Sequence, residues 1–298
     1  MAGLVRDGQH ASMGMRGNSQ AVEFMRIVDT HLHLVYQDRF TYPWLANAGT
    51  LNRQWTVESF FAEGAPLGIE AALHMEVDVV EGQMLAETEA MLEIDPRVIG
   101  AIANGRPESP EFPAYLEKLA ALGRVRGVRR LLQGQPAELS QGELFRENVR
   151  RLAAYGLNFD ICLKSHELEV APGLISACPD VQFVLDHCGN PKIAEGEWDS
   201  WTSRIEAIAA HPNVVCKVSG ILANVAPDWT VDQLRPYVEY VIGAFGWDRV
   251  VWGSDHPVVT LFADLTKWVE ATRAIIADSS PDEQARLLHR NAERVYRL

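Results

Sequence analysis

Apolar residues along this chain fall into eight short β-like runs, and the stretches between most of them switch to a helical period. The runs span 27–34, 69–77, 97–102, 125–132, 158–163, 182–187, 213–218 and 249–257. Helical spacing is expected over 81–94, 112–122, 141–155, 169–178, 198–210 and 231–245. Asp95-Pro96 stops the first of these, Gly156 sits where the third needs its C-terminal cap, and His211-Pro212 stops the fifth. Ser280 followed by Glu283 signals the start of a last, basic helix that runs to Leu298. Strands alternating with helices predict a parallel sheet, and eight such units predict a closed (β/α)8 TIM barrel forming a single domain over 26–298. A dinucleotide-binding sheet would need a glycine-rich turn after the first strand, and His31-Leu32-His33-Leu34 stands there instead. Residues 1–25 are polar, rich in Gly, Ser and Met, and expected as a flexible extension.

Chemistry in such barrels sits at the C-terminal ends of the strands. His31 and His33 are two residues apart in the first run, so a strand projects both from one face. His166 follows the fifth run, His187 ends the sixth and Asp255 ends the eighth, so five imidazole or carboxylate groups gather at one rim. Asp255 is the candidate general base for a water attacking a carbonyl. His31, His33 and His187 either hold one divalent metal together with Asp255 or polarise the carbonyl directly.

A second group of residues is read as substrate contacts. Arg129, Arg130, Lys164 and Lys217 are cations at or near strand ends, suited to a carboxylate or polyhydroxyl substrate. Strand alternation lets only one of Arg129 and Arg130 face the pocket, and the other is expected to pair with a helix. Glu76 reads as a ligand, a substrate contact or a supporting group. Tyr42 and Trp44 in the aromatic loop after the first strand read as a pocket wall or as packing. His74, Asp78, His211 and His289 read as structural or exposed, and His256 stays ambiguous.

Composition narrows the partners. A formal charge of −13 argues against nucleic acid and anionic membranes, and no apolar stretch approaches a membrane span. Four widely spaced cysteines without a C-x-x-C suit reduced thiols in a cytoplasmic enzyme. The partner expected is a small molecule, and a homo-oligomer stays open.

The motifs D-T-H-L-H-L, L-D-H-C-G-N-P, C-K-V-S-G and V-W-G-S-D-H-P-V together resemble the amidohydrolase superfamily, and more closely its branch of sugar-lactone and pyrone-dicarboxylate lactonases. Tyr42-Pro43-Trp44-Leu45, Gly127-Val128-Arg129 and Asn291-Ala292-Glu293-Arg294 add to the likeness, which runs from about Arg26 to Leu298. The resemblance implies a barrel like those of metal-dependent hydrolases and hydrolysis of a small lactone. Asp255 would be the base, and His31, His33 and His187 would surround the reacting carbonyl. Two-metal relatives carry a carbamylated lysine or a glutamate on strand four. Arg129 or Arg130 stands there in this chain, which leaves one metal, expected as zinc, or catalysis by the histidines alone. His166 matches a histidine of the sugar lactonases, although its neighbours Lys164-Ser165 and Glu167 differ. A sugar 1,4- or 1,5-lactone such as L-fuconolactone is the first expectation, and a pyrone-dicarboxylate or muconolactone type the second. A lactone isomerase, a metal-dependent decarboxylase and a non-catalytic binding protein are the rivals.

Overall fold

The structure is a computed structural model that describes residues 25–298. Of the expected extension over 1–25, residues 1–24 lie outside the described residues, and Met25 packs against the core. Eight strands follow in order: β1 (Ile27–Leu32), β2 (Ile69–Met75), β3 (Val98–Asn104), β4 (Val125–Leu131), β5 (Asn158–Cys162), β6 (Phe183–Leu185), β7 (Val214–Val218) and β8 (Val250–Trp252). Each pairs in parallel with the next, in the order of the sequence. Helices lie between the strands, as the alternating periods require, and the result is the expected eight-stranded α/β barrel.

The seam between β1 and β8 closes at the level of the strand ends. Leu32 bridges His256 in parallel, His33 N–H donates to the His256 carbonyl at 2.8 Å, and Asp255 N–H donates to the His31 carbonyl at 3.0 Å. Asp29 Oδ1 ties the seam further by accepting from the backbone N–H of His31 (2.9 Å) and of Ser254 (2.8 Å). Barrel closure and placement of His31, His33 and Asp255 are therefore one set of hydrogen bonds.

Inside the barrel, Val28, Leu73, Met75, Ile102, Val184, Val215 and Val251 pack together. Ala292, Val295 and Tyr296, from the final helix Asn291–Tyr296, join the same cluster and close it from below. Each fully buried Val, Leu or Ile contributes about 1.5–3 kcal/mol. Between barrel and helices a larger apolar shell holds Phe60, Leu116, Trp201 and Trp268.

The sixth and eighth strands end before the expected site residues, and the reason matters for function. The sixth stops at Leu185 because His187 and Cys188 take positive φ (57° and 53°), and the eighth stops at Trp252, ahead of Asp255 at φ 58°. Side chains other than glycine rarely adopt this region. Five of the six such residues described, Asp78, His187, Cys188, Asn190 and Asp255, follow strands on the C-terminal side of the barrel. The helix expected over 141–155 runs as Glu143–Arg151 and tightens to a 3-10 turn over Leu152–Tyr155 before the left-handed cap at Gly156, and a separate short helix, Ala137–Gln141, precedes it across the extended Gly142. No helix of the described residues is long and apolar enough to cross a membrane.

Candidate active site

His31 and His33 bring their Nε2 atoms to 3.2 Å of one another. His33 Nδ1 lies 3.1 Å from the Met75 carbonyl and 3.0 Å from that of Glu76. Carbonyls only accept, so Nδ1 carries the proton and Nε2 presents a lone pair. Asp255 Oδ1 lies 3.6 Å from His31 Nε2 and 3.7 Å from His33 Nε2. His187 joins with its ring centroid 4.5 Å from that of His31, and its Nδ1 is 2.9 Å from Ser219 Oγ. Gly220 leaves the room for this ring: a Cβ there, at φ +56°, would stand 2.2 Å from His187 Nδ1.

Burial dominates the electrostatics. It lowers His31 and His33 well below the usual imidazole range, helped by Lys217 at His31 and by Arg129 at His33. It lowers His187 to about 4. Burial also pushes Asp255 up to about 8, with Arg129 pulling the other way. The mouth therefore holds three neutral imidazoles and one carboxyl group that titrates near neutrality.

Behind His31 lies an ion cluster. Lys217 Nζ sits 2.8 Å from Asp160 Oδ2, 2.9 Å from Asp186 Oδ1 and 3.2 Å from His31 Nδ1. Burial works against the Lys217 charge, but Asp160 and Asp186 outweigh it and hold its pKa well above normal. Burial would raise Asp186 too, yet Lys217 and His31 keep that carboxyl well below the usual range.

The donor set fits one divalent ion. Bonds of about 2.0–2.2 Å in a tetrahedron set neighbouring donors roughly 3.3–3.6 Å apart. The spacings of 3.2, 3.6 and 3.7 Å among His31, His33 and Asp255 match this. Donor atoms of His31, His187 and Asp255 also lie within 4.8 Å of one another. Cys162, Asp186 and His187 form a second such group, in which Asp186 is already paired with Lys217 at 2.9 Å.

A cavity of about 440 Å³ opens over this cluster, and His33, Arg129, His187 and Asp255 line it together with Trp44. The Trp44 indole N–H donates to the Val77 carbonyl at 2.8 Å, which fixes that wall. Arg129 is bound from behind, with Nε 2.7 Å from Glu76 Oε1, Nη2 3.0 Å from the Glu76 carbonyl and Nη1 3.7 Å from Asp186 Oδ2.

The other expected contacts are elsewhere. Glu76 is buried behind Arg129 and does not line the cavity. Arg130 points away, with Nε 2.8 Å from Glu108 Oε1, and that partner lies in the loop after β3 rather than on a helix. Lys164 is exposed, because β5 ends at Cys162 and a tight turn, Ser165–Val170, carries the chain outward. The same turn leaves the His166 side chain 59% exposed, on a separate groove beside Glu167. Tyr42 is buried under the first loop, its hydroxyl accepting from the Tyr36 N–H at 3.1 Å. Lys217, expected at the rim, is fully buried beneath His31. His256 packs on the rings of Trp55 and Phe60, and His74 faces Glu87 behind β2.

Asp78, Gln133, Cys162 and Asn190 line the cavity without having been expected there. Their signal was position, directly after β2, β4 and β6 or at the end of β5.

Fold and donor set together define a hydrolase barrel like those of metal-dependent hydrolases. The chain belongs to the amidohydrolase family, whose model matches residues 28–298. It is 31% identical over 196 residues to an L-fucono-1,5-lactonase of Burkholderia ambifaria, covering 64% of this chain and 68% of the relative. An L-fucono-1,5-lactonase of Burkholderia multivorans is 27% identical over 271 residues, covering 82% and 88%. Among solved structures, an amidohydrolase from Burkholderia multivorans with bound zinc superimposes with a TM-score of 0.83 at 22% identity, covering 92% of this chain and all (100%) of that one.

Proposed function

We propose that this enzyme opens a neutral sugar lactone, a 1,5- or 1,4-lactone of the L-fuconolactone kind, to its hydroxy acid. The observation that carries the reading is the meeting of the Asp255 carboxylate with three uncharged imidazoles at the base of an open cavity. The likeness to L-fucono-1,5-lactonases supports the lactone. Asp255 takes one proton from the attacking water as its oxygen adds to the lactone carbonyl. The same proton then passes to the ring oxygen as the C–O bond breaks, and the new carboxylic acid releases its own proton to solvent. Arg129, on the cavity wall, offers N–H groups to the developing oxyanion. A divalent ion, which we take as zinc, held by His31, His33, His187 and Asp255 would supply Lewis-acid polarisation of the carbonyl. Four buried free cysteines support assignment to a reducing compartment, the cytoplasm.

The test is proton release, followed with a pH indicator, from sugar lactones, pyrone-dicarboxylate and muconolactones, before and after chelation. Fast release from one stereochemical set of neutral sugar lactones is expected. Release from none of the lactones would overturn the assignment.

A further inference from the structure

Asp78 follows β2, and its backbone is held at φ 47° while its N–H donates to Glu76 Oε2 at 2.7 Å. An L residue in this conformation stores strain that surrounding contacts must maintain. The contacts here are specific. Asn104 Nδ2 and Arg106 Nη2 approach Asp78 Oδ1 at 3.5 and 3.4 Å. Oδ2 has no partner among the described residues, and the side chain, 43% exposed, lines the cavity wall with Trp44.

The cavity's charge balance gives this carboxylate its meaning. Arg129 is the one cationic side chain among the described lining residues, and Glu76 and Asp186 already compensate it. Arg130 and Lys164 contribute nothing to the cavity. Arg106 pairs with Asp78 Oδ1 from outside the cavity lining, so a ligand carboxylate would meet the Asp78 side chain with no unpaired protein cation on the wall to offset it. Ring hydroxyls, by contrast, are donors, and a carboxylate oxygen only accepts. The apolar side of the same cavity, Val35, Val77, Pro257 and Val258 with the Trp44 ring, suits the C–H face of a sugar.

Resting on the lactonase reading above, we propose that Asp78 is a specificity-determining residue: it binds hydroxyls of the lactone ring and rejects carboxylated lactones. Hydrolysis turns a neutral ligand into an anion, so the same carboxylate also favours departure of the acid product.

The experiment compares the full-length wild type with Asp78→Asn and Asp78→Ala. Asn tolerates positive φ and keeps an oxygen for Asn104 and Arg106, so folding is preserved. Two readouts are taken. One is kcat and KM on a polyhydroxylated δ-lactone against unsubstituted δ-valerolactone, with citrate as a competitive inhibitor. The other is calorimetric binding of a polyhydroxylated δ-lactam, which needs no turnover. Loss of a unit charge predicts about a tenfold fall in preference for the hydroxylated lactone, carried by KM. It also predicts a citrate inhibition constant about tenfold tighter. An unchanged preference together with unchanged citrate inhibition in both variants overturns the proposal even if the wild type is a lactonase. If no lactone is hydrolysed, Asp78-dependent lactam binding sustains the hydroxyl site while the lactonase reading falls. Lactam binding that is equal in all three proteins, or absent from all, removes it.

Discussion

At the mouth of the barrel Asp255 faces a cavity among imidazoles that carry no charge, whereas behind His31 the Lys217 ammonium lies between two carboxylates and touches both. Both groups sit inside the barrel and both are buried. The deeper one has its charge answered within the protein, so burial is overcome and it stays ionised. The one at the mouth is not answered, so burial wins and its pKa rises to about 8. A charge satisfied by the fold is scaffold, and a charge left unsatisfied beside a cavity is available for chemistry.

The sharpest way to break this contrast is to neutralise the mouth. Asp255→Asn should lower lactone hydrolysis about a thousandfold or more, read as kcat under saturating substrate. Its effect on stability should have the opposite sign. Because the folded pKa of Asp255 is raised, its contribution to stability is present below the unfolded value near 3.8 and is lost as pH rises through about 8. In protein stripped of metal, where no bound ion adds to stability, the Asn variant should therefore melt at or above the wild-type temperature at pH 8. A lower melting temperature would mean that Asp255 is scaffold as well.

Lys217→Met tests the deeper region and should do the reverse. It leaves Asp160 buried without its cation and Asp186 with only Arg129 at 3.7 Å, and breaking such a buried pair costs about 3–5 kcal/mol. The reading is chemical denaturation at neutral pH. Adding Asp160→Asn should return part of the loss. A Lys217→Met protein with wild-type stability would show that the cluster is tuned for catalysis rather than for folding.

How much of this contrast was legible in the sequence follows from what alternation encodes. The barrel was legible because strand and helix periods alternate cleanly, and His31, His33, His187 and Asp255 because each lies at or just past a strand end. Depth was not legible. Asp160, Cys162 and Lys164 share one parity, yet Asp160 lies in the barrel, Cys162 lines the cavity and Lys164 is outside, because β5 ends at Cys162. Asp78 was missed for a related reason: a lone aspartate just after a strand has the look of an ordinary turn residue, and only the left-handed backbone turns it toward the cavity.

A smaller effect sharpens the assignment of Asp255. In protein stripped of metal by chelation, a base that titrates near 8 must lose its proton before it can act. Residual hydrolysis should rise about tenfold between pH 7 and pH 9, since the ionised fraction climbs by that factor. Loading with zinc should move this limb to lower pH, because a bound cation favours the carboxylate. A flat profile in the stripped protein would assign the base elsewhere.

The smallest predicted effect comes from two neighbours in one strand. Arg129 faces inward, bound to Glu76 on the cavity wall, and Arg130 faces outward to Glu108, with side chains 14% and 27% exposed in that outer pair. Partly exposed pairs contribute at most about 1 kcal/mol because water screens them. Arg130→Ala should therefore change kcat/KM by less than about twofold and stability by no more than that 1 kcal/mol. Arg129→Ala leaves Glu76 buried without its partner and should cost several-fold more on both measures. Equal losses from the two substitutions would mean that the outward arginine supports the cavity through its loop, and that a residue's direction from the strand does not by itself divide substrate chemistry from scaffold.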